Sequence, residues 1–169
     1  KQLKPLFEYV INDPSVAVIA KAQFSRNTLS NLFSDNELFK MVTKTNRWIE
    51  LGKGQHRNII FPSQASISSD ITINHVYGST AALEASLNNK RSVLITHGYF
   101  LGENALIYKK ENILYYDFSL LIKAIKSYRN KEEKNSDLGD WSSIIHLFDK
   151  FKDGKSSERL RRIIEDQLH

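Results

Sequence analysis

The sequence contains no cysteine among its 169 residues, which excludes disulfide bonds and metal sites built on cysteine. It contains no apolar run close to about 18 residues, so no segment is predicted to span a membrane as a helix. Internal repeats and low-complexity tracts are also absent. Because the lack of cysteine fits a cytoplasmic protein, we expect a cytoplasmic location, either in solution or at the inner face of the membrane.

Patterns typical of several kinds of site are missing as well. No set of histidines and carboxylates has the spacing of a metal site, so we predict neither a metal nor a cofactor. Ser79 has no histidine and aspartate partners in a nucleophile-elbow context, which disfavours a hydrolase triad. The lysines are spread along the chain, with no basic stripe that alternates with aromatic residues. We therefore predict no nucleic-acid partner.

The composition is typical of a globular protein. Hydrophobic residues make up 41% of the chain and charged residues 25%, and the length suits a single domain over residues 1–169. The net charge of +5 has two interpretations. It forms a solvated basic surface, or it attracts a sugar nucleotide or an anionic membrane surface.

The stretch 69–96 contains the clearest pattern of the chain. A β-branched run at 71–73 predicts a strand, and a loop follows that ends at 78–80. Residues 81–87 have the alanine, leucine and glutamate content of a strong helix former. A second buried strand is predicted at 93–95. Together these segments predict a strand–loop–helix–strand unit of a parallel sheet.

The junction between loop and helix in this unit suits an anion. A helix begins with unpaired backbone N–H groups and a partial positive charge. Gly78 allows a close approach of the backbone, and Ser79 or Thr80 can cap the helix, so the junction suits a phosphate. Glu84 is the charged residue of an otherwise apolar helix and could bind a ligand hydroxyl. The alternative is a plain helix cap, with Glu84 reaching solvent or a lysine.

Polar residues follow each predicted apolar strand. In open α/β sheets, ligands bind outside the carboxyl ends of the strands. A strand at 16–20 runs into Lys21, and a strand-end lysine can equally lie in water. A histidine is more often structural than ligand-binding, which applies to His75 and His97. The candidate binding residues are Lys21, His75, Gly78, Ser79, Thr80, Glu84 and His97.

The remaining periodic segments complete a predicted α/β fold. We expect a three-layer, Rossmann-like sandwich with a mainly parallel sheet of about five or six strands and helices on both faces. Asp117 is predicted to cap the helix at 118–128. The other predicted elements are helices at 3–11, 24–46 (two), from 62, from 141 to 148 and at the carboxyl terminus, and strands at 47–51 and 112–116.

The motif Gly78-Ser79-Thr80-Ala-Ala-Leu-Glu84, followed by Lys90-Arg91-Ser92-Val93, resembles the C-terminal, nucleotide-sugar-binding half of GT-B-fold glycosyltransferases. More narrowly, it resembles bacterial surface-carbohydrate and capsular-polysaccharide biosynthesis proteins. In that family the small polar pair opens a helix at the donor diphosphate, and the acid on the helix lies near the donor ribose. The resemblance extends to Phe61-Pro-Ser, to Gly139-Asp-Trp and to the segment from Asp153 to Arg159.

The resemblance implies a nucleotide-sugar donor, a glycan acceptor and a missing N-terminal partner domain, so that this chain would be a fragment that could be inactive alone. It also implies that Lys21 faces the donor phosphates and that loop 52–58 contacts the base. The family often has Lys-Pro-Lys at the first position, whereas this chain has Lys21-Ala22-Gln23. No catalytic base is assigned. Two alternatives stay open: a sugar-nucleotide epimerase-like domain and a non-catalytic scaffold that kept the fold.

Overall fold

The computed structural model describes residues 2–21, 29–51, 60–76, 79–98 and 103–167. Within these ranges it contains eight α-helices and five β-strands. The helices are α1 (Lys4–Asn12), α2 (Leu29–Leu32), α3 (Glu37–Lys44), α4 (Pro62–Ile67), α5 (Ser79–Leu87), α6 (Glu103–Lys110), α7 (Phe118–Arg129) and α8 (Ser156–Gln167). The strands are β1 (Val18–Lys21), β2 (Trp48–Leu51), β3 (Ile71–His75), β4 (Arg91–Ile95) and β5 (Leu114–Tyr115).

The predicted α/β class is confirmed, but the arrangement of the strands differs from the prediction. All strand pairs are parallel, as expected. They form two sheets, β1–β2 and β3–β4–β5, rather than one sheet of five or six strands. Among the described residues, no hydrogen-bond ladder joins the two sheets. They are joined by apolar packing, since one buried cluster includes Ala20 and Trp48 of the first sheet and Val93 and Ile95 of the second.

The helices differ from the prediction in two segments. The spacing of Trp141, Ile144, Ile145 and Phe148 predicts a helix, but the segment forms turns with a 3₁₀-helix at Ile145–Leu147. Conversely, α6 lies in a segment for which no element is predicted. The predicted loop 52–58 lies outside the described residues.

Two buried clusters cover opposite faces of the three-stranded sheet. The first contains Phe7, Val10 and Leu121 and packs α1, α3 and α7 against both sheets. The second contains Ala82, Leu94, Tyr108, Ile113 and Trp141, and α5 packs over β3 and β4 on this side. Helices therefore lie on both faces of the sheet, as the sequence predicts.

The amino ends of both sheets lie on the same side of the molecule. The Arg129 guanidinium, at the end of α7, donates hydrogen bonds to Asp13, shortly before β1, and to the hydroxyl of Tyr9. The preceding residue is Tyr128. The guanidinium of Arg91, the first residue of β4, lies over the Tyr128 ring, 4.8 Å from its centroid. Since all strand pairs are parallel, the carboxyl ends of β1, β3 and β4 all leave toward the opposite side. We call that side the carboxyl edge.

Helix α8 stands apart from both clusters. The helical spacing of Leu160, Ile163 and Ile164 predicts that these side chains face inward. They are 59%, 60% and 51% exposed, so this prediction is wrong. No residue of this helix is buried. Within the part of the chain that the structure describes, no helix has the length and apolar character needed to cross a membrane.

Candidate functional site

The β3–α5–β4 unit brings the start of α5 to the carboxyl edge. Helix α5 begins at Ser79, two residues before the predicted start, and follows the end of β3 after a connection of three residues. Thr80 is exposed in its first turn, and that turn holds no acidic residue. Gly78 and the side chain of Ser79 lie outside the described residues. The start of a helix carries a partial positive charge, and the binding of a phosphate at this turn stays a prediction.

Lys21 ends β1 at the same edge. Val18 and Ala20 pack in the first cluster, so the alternation of a strand turns Ile19 and Lys21 to the opposite face. Helix α4 packs against both β1 and α5 on that face. Lys21, which is half-buried, thus leaves its strand on the side of the sheet that α5 covers.

His75 and His97 come together at the carboxyl edge, and we call them the histidine pair. Their ring centroids lie 5.8 Å apart, with the planes tilted by 38°. Ile73 of β3 and Ile95 of β4 pack in the first cluster. His75 and His97 come two residues later on the same strands' course, so they lie on the same face of the sheet at its carboxyl edge. The ring of Phe118, which belongs to the same cluster, lies 6.2 Å from the His97 ring. The pair therefore lies on the α7 side of the sheet.

The surroundings of His75 favour its neutral form. Partial burial lowers the pKa of His75 below its ordinary value of 6.5, and the proximity of His97 lowers it further. Two imidazolium rings at this separation would repel each other. A neutral imidazole can accept a hydrogen bond at one ring nitrogen and donate one from the other.

Glu84 lies in the second turn of α5, about 7.5 Å along the helix axis from Ser79. It is half-buried, and its main-chain carbonyl accepts a hydrogen bond from the Asn88 side chain at 2.8 Å. Glu84 thus lies on the helix that the sequence predicts for it. The contact of its side chain with a ribose stays a prediction.

The predicted candidates thus fall into two groups at one edge. Lys21 and the first turn of α5 lie on the side covered by α4 and α5, whereas the histidine pair lies on the α7 side. Only the histidine pair is in direct ring contact among the described candidates. The side of the sheet on which each side chain lies depends on the strand register and on which strands pair. The local sequence pattern does not predict either of these.

A depression of about 740 Å³ lies at the opposite end of α5 and was not predicted. Its lining includes Lys90, Arg91, Trp141, Asp149 and Lys152. Two of these side chains already bind the main chain: Arg91 donates to the Leu138 carbonyl at 2.7 Å, and Trp141 donates to the Ser92 carbonyl at 2.8 Å. The motif Gly139-Asp140-Trp141 is the sequence signal of this region, and it serves the docking of the segment onto β4.

The described residues contain no group of three or more histidine and carboxylate side chains that could hold a metal ion. The carboxyl edge offers instead backbone amides, a hydroxyl, an ammonium group and two imidazoles. This set of groups suits the binding of a phosphate-bearing ligand. No protein-family model, curated protein or solved structure matches the chain.

Proposed function

We propose that the chain is the nucleotide-sugar-binding domain of a glycosyltransferase in bacterial surface-polysaccharide biosynthesis. The observation that supports this proposal is the β3–α5–β4 unit, in which α5 begins after the end of β3 and its first turn therefore lies at the carboxyl edge of the parallel strands. Open parallel sheets bind nucleotides at such an edge. The resemblance of residues 78–93 to the glycosyltransferase motif supplies the ligand class.

The proposal assigns roles to the first turn of α5, to Lys21 and to Glu84. The amides of the first turn of α5 and the Thr80 hydroxyl bind the donor phosphates, and Lys21 adds a positive charge. These groups stabilise the charge that develops on the leaving nucleotide when the sugar is transferred. Glu84 accepts a hydrogen bond from a ribose hydroxyl. The resemblance implies that the base that activates the acceptor comes from a different domain, so none is named.

One feature favours a second candidate, a non-catalytic scaffold domain. The segment Lys21-Ala22-Gln23 lacks the second lysine of the family pattern, which weakens the positive charge available to a diphosphate. An epimerase-like domain would need paired carboxylates at the edge. Asp117, which precedes α7 there, already accepts a hydrogen bond from the Leu120 amide at 2.8 Å.

Calorimetric titration of the 169-residue chain with UDP, CDP, CMP and GDP tests the proposal. We expect at least one nucleotide to bind. Thr80→Val and Glu84→Gln should each weaken its affinity by roughly 10- to 150-fold, which corresponds to the loss of one hydrogen bond to a charged group. Thr43→Val, on the exposed side of α3, and Glu158→Gln, on α8, are the matched controls and should bind as the parent chain does.

Failure of all four nucleotides with a chain whose circular dichroism confirms folding would contradict the proposal. If a nucleotide binds and neither Thr80→Val nor Glu84→Gln changes its affinity, the assigned residues are wrong. Survival of glycan synthesis in cells that carry both substitutions would favour the scaffold candidate.

A further inference from the structure

The apolar stripe of α8 is exposed along its length. Leu160, Ile163 and Ile164 are spaced by three and four residues, so they lie on one side of the helix. Their side chains are 59%, 60% and 51% exposed, and no residue of α8 is buried. Helix α7 has the same length of 12 residues and buries six of them. An exposed apolar stripe on an otherwise charged helix indicates a binding surface.

Phe151, in the turn before α8, adds an aromatic ring beside this stripe and is 57% exposed. The Arg159 guanidinium lies over the Phe151 ring, 4.1 Å from its centroid, and the Lys150 ammonium lies 5.8 Å from the same centroid. Arg159 also donates two hydrogen bonds to the Asp153 carboxylate, at 2.9 and 3.0 Å. These contacts hold the turn against the first turn of the helix. We call the four exposed apolar side chains the α8 patch: Phe151, Leu160, Ile163 and Ile164.

The charged side chains of α8 differ in their position around the helix. With about 3.6 residues per turn, Arg159 and Arg161 lie about 100° to either side of Leu160, so they border the patch. Glu158 and Glu165 lie about 160° and 140° from Leu160, on the far side of the helix. The helix is about 10 Å across, which is close to one Debye length at physiological salt. A surface in contact with the patch therefore interacts with the arginines more strongly than with these carboxylates.

Ion pairs within the segment leave positive charge at the border of the patch. The Arg161 side chain is 72% exposed and lies 3.8 Å from the Glu165 carboxylate, and a pair of this kind is weak in water. Lys150 is exposed beside Phe151. Asp166 lies about 120° around the helix from the centre of the stripe, but it belongs to the last turn of α8. The border near Phe151 and Arg161 is therefore basic.

An apolar stripe with cations at its border fits an anionic lipid surface better than a second copy of the chain. A stable protein interface takes about 20–30 residues from each partner, whereas the patch has four side chains. A lipid surface needs one apolar stripe, which enters the acyl boundary while the border cations bind lipid phosphate groups. We propose that the α8 patch binds an anionic lipid surface, with α8 lying in the plane of the interface. This inference rests on α8 and the turn before it, and it is independent of the proposed function.

Cosedimentation of the 169-residue chain with lipid vesicles tests the inference. The chain should bind vesicles that contain phosphatidylglycerol more tightly than vesicles of phosphatidylcholine alone, and added salt should weaken this binding. Ile163→Asn should weaken the binding by roughly 5- to 20-fold, because one aliphatic side chain no longer enters the lipid. The matched control is Ile67→Asn, since Ile67 is 57% exposed on α4, and it should bind as the parent chain does.

A second pair of variants tests the charge at the border. Lys150→Gln combined with Arg161→Gln should weaken binding to phosphatidylglycerol vesicles by roughly 30-fold, since each cation near anionic lipid contributes about fivefold. Lys123→Gln combined with Lys134→Gln removes the same net charge from exposed positions outside α8 and the turn before it. This control should weaken binding by about threefold at most. Circular dichroism should show all variants folded, because no residue of α8 is buried.

Vesicle binding that is weakened by Ile163→Asn and by the Lys150 and Arg161 substitutions, and not by the controls, supports the inference. Failure of the folded chain to bind phosphatidylglycerol vesicles overturns it, as does binding that survives Ile163→Asn. Equal weakening by both double variants also overturns it. Sedimentation velocity without lipid covers the alternative occupant. If the chain forms a dimer that Ile163→Asn dissociates and does not bind the vesicles, the patch belongs to an interface between two copies and the inference is rejected.

Discussion

Gly139 is the residue at which the chain between α7 and α8 docks onto the three-stranded sheet. Its carbonyl accepts a hydrogen bond from the Ser92 amide at 2.9 Å, and Trp141 donates to the Ser92 carbonyl at 2.8 Å. The φ angle of Gly139 is +63°, and a Cβ built on it would lie 2.9 Å from the Ser92 nitrogen. Both the backbone conformation and the close approach therefore require glycine here.

Gly139→Ala should lower the free energy of unfolding by about 2–4 kcal/mol, because the left-handed conformation and the clash with the Ser92 backbone add. Gly154→Ala is the control. Gly154 also has a positive φ, +69°, but a Cβ there meets nothing within 4 Å, so the loss should be no more than about 1–2 kcal/mol. Urea denaturation followed by circular dichroism measures both. Equal losses would show that the close approach at Ser92 has no energetic weight.

At the scale of elements, α7 illustrates a helix that is specified locally. The sequence predicts it from the spacing of Leu120, Leu121, Ala124 and Ile125. The last three are buried on its inner face, whereas Leu120 is 53% exposed. The Asp117 carboxylate accepts a hydrogen bond from the Leu120 amide at 2.8 Å, so the predicted cap is confirmed. Period and cap are both properties of neighbouring residues, which is why the prediction succeeds.

Asp117→Ala should destabilise the protein by about 1 kcal/mol, because one amide of the first turn loses its acceptor. Asp117→Ser keeps a capping oxygen and should retain most of the stability. Urea denaturation of the three proteins provides the comparison, with helix content monitored at 222 nm. The capping role would be contradicted if the alanine and serine variants had the same midpoint.

Two other elements show where local patterns mislead. The apolar residues of α6 include Ala105, Leu106 and Ile107, which are consecutive rather than spaced by a helical turn. The segment therefore lacks the hydrophobic periodicity from which a helix is predicted. Trp141 to Phe148 has helical spacing but folds into turns. There, the Asp140 carboxylate binds the Ser142 amide at 2.9 Å, and the Trp141 ring is held by a carbonyl of β4. A long-range hydrogen bond thus overrides the local period.

At the scale of the whole molecule, the sequence predicts the class of fold better than its assembly. Parallel strands between helices follow from apolar runs and periodic segments. The division into two sheets, and the placement of Lys21 and the histidine pair on different sides of the edge, depend on contacts between distant residues. The same holds for α8, whose spacing of Leu160, Ile163 and Ile164 predicts an apolar face but not that this face is exposed.

The ion pair between Asp13, directly after α1, and Arg129, at the end of α7, makes the stability of the protein depend on pH. Asp13 accepts hydrogen bonds from Ser15 and from the Arg129 guanidinium, the latter at 2.7 Å. The Ser15 hydroxyl, followed by Arg129, lowers the pKa of Asp13 from 3.8 to about 2. Because the folded state binds a proton here less readily than the unfolded state, stability contributed by Asp13 is present above about pH 4 and is lost as the pH falls toward 2.

Asp13→Asn should therefore lower stability at pH 7 and flatten the decrease in stability between pH 4 and 2, because the amide cannot titrate. Asp153 is the matched control, since its hydrogen bonds with Arg159 and with the Lys155 amide also lower its pKa to about 2. Its partners lie within the α8 region, and no residue of α8 is buried. Asp153→Asn should then leave the pH dependence of global unfolding unchanged, because that region can open without exposing the core. Urea unfolding at pH 7, 4, 3 and 2.5 distinguishes the variants. If both variants showed the same pH dependence, the role assigned to the Asp13–Arg129 ion pair would be contradicted.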